Sequence, residues 1–173
     1  NAKEAEVPLA STFAMFEYDE NNGRLNSTPA FFGTNVDAKI AVSHPHMFTV
    51  VNSKNAYMVD LGANRVNQFL VSINENNQLN VQTNPTAPVF IDSPLNSKVG
   101  PRHLSFHPSL PIAYLVHELN NTISVLKVDH GLNNALSLLQ VVSMLPKGAN
   151  ISLNAAAEIQ VSPDGKFVYA SNR

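Results

Sequence analysis

The sequence predicts an all-β chain that forms part of a β-propeller, and three observations lead to this fold class. Short apolar runs alternate with clusters rich in Asn, Gly and Pro, the pattern of strands joined by tight turns. No long segment shows the 3.6-residue apolar period of a surface helix. Similar strand–turn–strand units recur at intervals of 53 to 57 residues, and such repetition is typical of propeller blades. A β-sandwich also has many strands but does not repeat in this way.

Each predicted strand is a run of apolar, β-branched or aromatic residues that ends at a turn signal. The first run precedes the polar turn 19–23, and the last follows the Ser-Pro-Asp-Gly turn at 162–165. The middle runs form two pairs, joined through 62–64 and through 120–121. In chain order, the predicted strands are 12–18, 56–60, 65–71, 113–116, 122–128 and 166–170.

The repeated units also align with one another without gaps. Residues 59–71 align on 116–128, residues 114–118 on 169–173, and residues 13–18 on 66–71. The alignment predicts one partial propeller over 1–173, with approximate blades at 1–39, 40–98 and 99–150 and a further blade starting in 151–173. Closed propellers have about four to eight blades. We therefore expect a fragment, whose partners include the remaining blades of the same protein.

Composition excludes several classes of function. The 11 basic and 13 acidic residues give a net charge of −2, which argues against a nucleic-acid or anionic-membrane partner. The absence of cysteine excludes disulfides, thiolate metal sites and a cysteine nucleophile. No apolar run is long enough to cross a membrane. Neither a Gly-X-Ser-X-Gly elbow nor a Walker loop is present, which removes the main support for a serine hydrolase or an NTPase.

Two motifs carry a resemblance to a known family. Residues 100–108 read Gly-Pro-Arg-His-Leu-Ser-Phe-His-Pro, and residues 113–122 read Ala-Tyr-Leu-Val-His-Glu-Leu-Asn-Asn-Thr. Together with Ser-Pro-Asp-Gly at 162–165 and Tyr-Ala-Ser-Asn-Arg at 169–173, they closely resemble the lactonase family of seven-bladed β-propellers. That family includes 6-phosphogluconolactonases and a fungal-type carboxymuconate cyclase. The resemblance covers roughly 40–173 and implies that the chain supplies about three of seven blades.

The resemblance also implies a set of site residues. Carried over by motif from the carboxymuconate cyclase, the catalytic groups fall on His46, Arg102, Glu118 and Arg173, and substrate binding falls on Arg102, Arg173 and His103. The guanidinium groups suit phosphate or carboxylate, while Glu118 and His46 are both candidates for the base. All four catalytic candidates should converge at one mouth of the channel. A structural role as blade-to-blade hydrogen-bond partners is the competing interpretation of His103, and it is also our interpretation of His107.

The function implied by the resemblance is a lactone hydrolase that opens 6-phosphogluconolactone, a small anionic sugar lactone, without a cofactor. A muconate-cyclase-like isomerase and a non-catalytic binding scaffold remain alternatives, because fold does not fix function. No metal site is predicted, because the paired histidines lack a nearby acidic ligand. The resemblance implies a cytoplasmic location, with secretion not excluded.

Overall fold

The computed structural model describes residues 12–34, 43–52, 54–76, 78–84, 89–90, 98–132 and 134–173. Within these ranges the regular structure consists of strands and two short 3-10 turns, at His130–Leu132 and Ile151–Leu153. None of the described segments is a helix long and apolar enough to cross a membrane. The all-β prediction is confirmed.

The strands form four sheets that follow one another along the chain, with every pairing antiparallel. Sheet 1 contains β1 and β2, sheet 2 contains β3 to β7, sheet 3 contains β8 to β11, and sheet 4 contains β12 and β13. The strands are β1 Thr12–Met15, β2 Phe31–Thr34, β3 Pro45–Val51, β4 Asn55–Asp60, β5 Arg65–Ile73, β6 Leu79–Thr83, β7 Val89–Phe90, β8 Pro101–Phe106, β9 Ile112–His117, β10 Thr122–Asp129, β11 Ala135–Ser143, β12 Ala156–Val161 and β13 Val168–Asn172.

The apolar clusters lie between consecutive sheets, and β4 shows why. Along this strand Ala56 and Met58 face sheet 1, whereas Tyr57 and Val59 face sheet 3. A strand alternates its side chains between two faces, so burial of all six residues of β4 means that both of its faces are covered. In the same way, Val116 of sheet 3 packs on sheet 4. Sheets stacked in chain order are the arrangement of propeller blades, as predicted.

The repeat is visible in the turns that close the central hairpins of sheets 2 and 3. Asn64 and Asn121 both adopt left-handed backbone angles, with φ of 57° and 55°, which Asn tolerates better than most residues. Each side chain then reaches the next sheet. The Oδ1 of Asn64 accepts the N–H groups of Val99 and Gly100 at 2.9 and 3.1 Å, and the Nδ2 of Asn121 donates to the carbonyl of Asn154 at 3.1 Å. One residue type therefore closes a hairpin and ties neighbouring blades.

All six predicted strands differ from the observed strands at one boundary or both, by one to three residues, and two of these differences have a visible cause. Strand β1 ends at Met15, because Tyr18 makes only an isolated bridge to Leu25 within a hairpin loop. Strand β13 begins at Val168, because the N–H of Phe167 donates to the Ser162 hydroxyl oxygen within the preceding turn. The blade predicted over 1–39 lies partly outside the described residues, and the blade limits stay predictions.

His117, the last residue of β9, is a buried histidine that is 1% exposed. Its Nδ1 lies 2.8 Å from the Oγ1 of Thr122, whose own proton is donated to the Oδ1 of Asn120. The threonine oxygen therefore accepts, and the His117 Nδ1–H donates. Burial lowers the pKa of His117 to about 4, so the ring is neutral in the folded protein near pH 7.

We expect the stability of the full-length protein to fall as the pH is lowered from about 6.5 toward about 4. The unfolded chain protonates His117 near its ordinary pKa of 6.5, whereas the folded chain resists protonation down to about 4. The free energy of unfolding should be about 3 kcal/mol lower near pH 4 than at neutral pH. Urea unfolding at neutral pH and in mild acid measures it. His117→Gln should flatten this dependence, and an unchanged dependence in that variant would contradict the assignment.

Candidate functional site

The first strands of sheets 2, 3 and 4, which are β3, β8 and β12, lie side by side in that order. Strand β8 contacts both β3 and β12. Each of these strands has an irregular register near its start, between Pro45 and Met47 in β3, between Pro101 and His103 in β8, and from Ala156 to Ile159 in β12. Such bulges re-aim side chains and are common beside active sites.

The bulges place the candidate residues. His46 and Arg102 stand at the skipped positions of β3 and β8, and Ala157 and Glu158 occupy the corresponding positions of β12. Because a bulged residue leaves the strand's ordinary alternation, its side chain need not point into the packed faces between blades. The bulges thus turn one side chain or carbonyl from each blade toward a common site.

Glu118 and Arg173 reach this site from the ends of the second strands. The N–H of Glu118 donates to the carbonyl of Gly100 at 2.8 Å, and the N–H of Arg173 donates to the carbonyl of Ala155 at 3.0 Å. The two residues hold equivalent positions in neighbouring sheets, as the 55-residue offset indicated. Gly100 has a φ of +65°, and a Cβ there would stand 2.5 Å from the Cγ of Leu119. Only glycine permits this close approach without strain.

One carboxylate oxygen contacts both arginines. The Oε2 of Glu118 lies 2.8 Å from the Nε of Arg102 and 3.2 Å from an Nη of Arg173. The Nε–H of Arg102 is not aligned with this oxygen, so the contact is an ion pair and not a directed hydrogen bond. The side chain of Arg102 is 16% exposed and that of Arg173 is 59% exposed. Arg173 is therefore the more accessible cation.

A second set of contacts joins Arg102 to sheet 4. Its Nη1 donates to the carbonyl of Ala157 at 2.6 Å and lies 3.4 Å from the Nε2 of His103. The Nδ1 of His103 lies 2.9 Å from the Oε2 of Glu158. His103 is thus a blade-to-blade partner through its side chain, which was its competing interpretation, and it also borders the site.

His46 completes the group. His46 is an exposed residue, yet the surrounding protein lowers its pKa first through partial desolvation and then through the charge of Arg102. Arg173 acts in the same direction, as does His103 when its ring is protonated, and Glu118 opposes them. A lowered pKa keeps the ring neutral near pH 7. The five sequence-predicted residues therefore lie together where the first strands of sheets 2 and 3 begin, while their catalytic and substrate-binding roles stay predictions.

This electrostatic coupling has a measurable sign in the full-length protein. Arg102→Met should raise the pKa of His46, because it removes a nearby positive charge that disfavours protonation of the ring. The negative charge of Glu118, which favours protonation, is then offset by one arginine fewer. Glu118→Gln should lower the pKa further, because it removes the opposing negative charge. An NMR titration of the His46 ring protons measures both changes, with the exposed Lys166→Met as a control that should leave the pKa unchanged. Shifts of the same sign in the two site variants would contradict the described cluster.

His107 lies at the opposite end of β8 from Arg102. Its Nε2 donates to the carbonyl of Gly165 at 3.0 Å, and its Nδ1 accepts the N–H groups of Ser109 and Leu110. This confirms its interpretation as a structural bond between blades. Among the described residues no three His, Asp or Glu side chains group as metal ligands.

The sequence analysis missed Glu158 and the carbonyl of Ala157. The sequence contained a signal for both. The 55-residue offset between the repeats makes Ala157 equivalent to Arg102 and Glu158 equivalent to His103. Extending the alignment from the central hairpins to the first strands would have identified them. Only the structure, however, shows that the bulges bring these positions into contact.

The cluster of charged residues can bind an anion next to a side chain that accepts a proton. Arg102, Glu118 and Arg173 carry a summed charge of +1, and a guanidinium binds phosphate or carboxylate through paired hydrogen bonds. The neutral His46 can take a proton. Since the contact between the Nε of Arg102 and Glu118 is not a directed hydrogen bond, the Nε–H of Arg102 stays available to a bound anion while its Nη1 remains bonded to the Ala157 carbonyl.

Comparison with known proteins identifies the family. The family model described as "Lactonase, 7-bladed beta-propeller" matches residues 9–173. An uncharacterized protein from Lactococcus lactis is 37% identical over 150 residues, which cover 87% of this chain and 40% of that protein. A 6-phosphogluconolactonase from Formosa agariphila is 29% identical over 168 residues, which cover 94% of this chain and 44% of that protein.

A solved structure supports the fold. The periplasmic gluconolactonase of Pseudomonas aeruginosa superimposes with a TM-score of 0.74 at 24% identity, covering 94% of this chain and 43% of that one. The chain spans less than half the length of these relatives, as expected for about three of seven blades. The match over nearly the whole chain shows that it belongs to the lactonase family of seven-bladed β-propellers.

Proposed function

We propose that the full-length protein hydrolyses a sugar lactone that carries an anionic group, with 6-phosphogluconolactone as the first substrate to test. One observation carries the proposal: two arginines from neighbouring blades converge on Glu118 beside a histidine whose pKa is lowered. Relatives named 6-phosphogluconolactonase support this reaction class.

The geometry suggests a division of labour. The exposed Arg173 receives the phosphate or carboxylate, and Arg102 polarises the lactone carbonyl and stabilises the negative charge that develops on its oxygen. Glu118 holds both guanidinium groups in place through its Oε2. Since this oxygen is engaged twice, we assign the role of base to His46 and not to Glu118.

The reaction then balances with water as the only co-reactant. His46 takes a proton from water as the oxygen of that water bonds to the lactone carbonyl carbon. The bond between that carbon and the ring oxygen breaks, and the protonated His46 returns the proton to the ring oxygen, which leaves as a hydroxyl. The product is the open hydroxy acid.

Lactone opening above the spontaneous rate tests the proposal. The full-length protein should open 6-phosphogluconolactone faster than gluconolactone, because only the former offers a phosphate to Arg173. Arg173→Met should remove most of this preference by raising KM, while the exposed Lys166→Met should leave it unchanged. Equal rates on both lactones that Arg173→Met does not alter would overturn the assignment of Arg173.

Two other outcomes would overturn the reaction class. Cyclisation of a carboxymuconate without lactone opening would favour the isomerase alternative, which needs the same charged groups. Activity toward neither substrate would favour a binding scaffold. The cytoplasmic location implied by the resemblance stays a proposal, because the Pseudomonas aeruginosa neighbour is described as periplasmic; fractionation of cells that express the full-length protein tests it.

A further inference from the structure

A chain of polar contacts runs from Arg102 across the blade boundary to Glu158. The Nη1 of Arg102 lies 3.4 Å from the Nε2 of His103, and the Nδ1 of His103 lies 2.9 Å from the Oε2 of Glu158. Glu158 is itself held in place, because its Oε1 accepts the N–H of Ile159 at 2.9 Å and its own N–H donates to the Ser171 hydroxyl at 3.0 Å. The carboxylate is therefore a fixed point on sheet 4.

The chemistry of Arg102, His103 and Glu158 determines which atom donates and which accepts in each of these contacts. Burial opposes ionisation of Glu158, but the hydrogen bonds from His103 and from the Ile159 N–H lower its pKa overall. An ionised carboxylate only accepts, so it holds the proton of a neutral His103 on Nδ1. The Nε2 of that ring is then an acceptor, facing an arginine that can only donate. The opposite tautomer would set two N–H groups against each other.

From this geometry we infer that Glu158 is a positioning residue for the candidate active site. It acts through His103, whose tautomer it selects, and thereby holds Arg102 in the plane in which its Nη1 also donates to the Ala157 carbonyl. The inference rests on the proposed function for the role of Arg102 toward substrate. Its structural part, the control of the His103 tautomer and of the Arg102 orientation, stands independently of the substrate.

Two substitutions separate positioning from simple packing. Glu158→Leu removes the acceptor, whereas Glu158→Gln keeps a carbonyl oxygen that can accept from the His103 Nδ1–H. In the full-length protein, Glu158→Leu should raise KM for 6-phosphogluconolactone about tenfold, the loss expected from one charge-assisted hydrogen bond. The kcat should change less, and Glu158→Gln should restore most of the KM. Glu75→Leu, in the exposed β5–β6 turn, is the matched control.

The His103 tautomer supplies a readout that does not depend on activity. Nitrogen-15 NMR of the full-length protein should show the Nδ1–H form in the wild type and in Glu158→Gln, and a shift toward Nε2–H in Glu158→Leu. A wild-type Nε2–H form would overturn the inference, as would a Glu158→Leu variant with unchanged KM and tautomer. If the wild type opens no lactone, the proposed function fails, and the tautomer result still decides whether Glu158 controls His103.

Discussion

Arg102→Ala should lower kcat/KM for 6-phosphogluconolactone in the full-length protein by about a hundred- to a thousandfold, the range for loss of one preorganised donor to a developing oxyanion. The kcat should fall and the KM should rise. Arg102 stands beside Glu118 and the Ala157 carbonyl, so its removal takes away a cation and loosens the group that orients Arg173. Steady-state kinetics on the purified protein measure the change.

Two further variants separate this role from a structural one. Arg102→Lys keeps the charge but loses the planar fork, so it should recover substrate binding only in part. Arg24→Ala changes an exposed arginine in the turn of sheet 1 and should leave the kinetics unaltered. If Arg102→Ala lost stability but retained kcat/KM, the arginine would serve only to join β8 to β12.

Leu115→Ala should lower the free energy of unfolding by about 2–5 kcal/mol, the range for truncation of a fully buried leucine. Leu115 lies at the centre of β9 with no exposed surface, in the cluster that joins sheets 2 and 3. The cavity would open between two blades, both of which are held by their own hydrogen-bonded sheets, so the surroundings have little freedom to collapse. Denaturant unfolding of the full-length protein measures the loss.

A matched control removes the same side chain from a different environment. Leu110 lies in the turn between β8 and β9 and is 55% exposed, so Leu110→Ala should cost much less than Leu115→Ala. Equal losses in the two variants would contradict the assignment of Leu115 to the interface between blades.

The central hairpins were predictable from sequence because their repeat is strict. Strands β4 and β9, and the starts of β5 and β10, are related by the same offset of 57 residues that aligns residues 59–71 with 116–128. Asn64 and Asn121 sit at equivalent turn positions. The apolar side chains alternate between two covered faces, which gives the short apolar runs that the sequence shows.

The first strands of the blades were harder to predict. The chain enters β3 and β8 through Ser-His-Pro-His at 43–46 and Gly-Pro-Arg-His at 100–103, which contain turn-forming residues and break the apolar alternation. The same irregularity produces the bulges that carry His46 and Arg102. Sequence reasoning found these residues by family resemblance but missed Glu158, because a contact between neighbouring blades depends on bulge geometry and not on local pattern.

A crystal structure of the full-length protein with 6-phosphogluconate bound tests the central claim most directly. The account predicts that the phosphate of the ligand lies within hydrogen-bond distance of Arg173, and that the carboxylate that the reaction creates lies within hydrogen-bond distance of Arg102 and faces His46. The interaction between the Nη1 of Arg102 and the Ala157 carbonyl should persist. The account would be contradicted by a ligand bound near His107, at the far end of β8. It would also be contradicted by a ligand bound between blades away from both arginines.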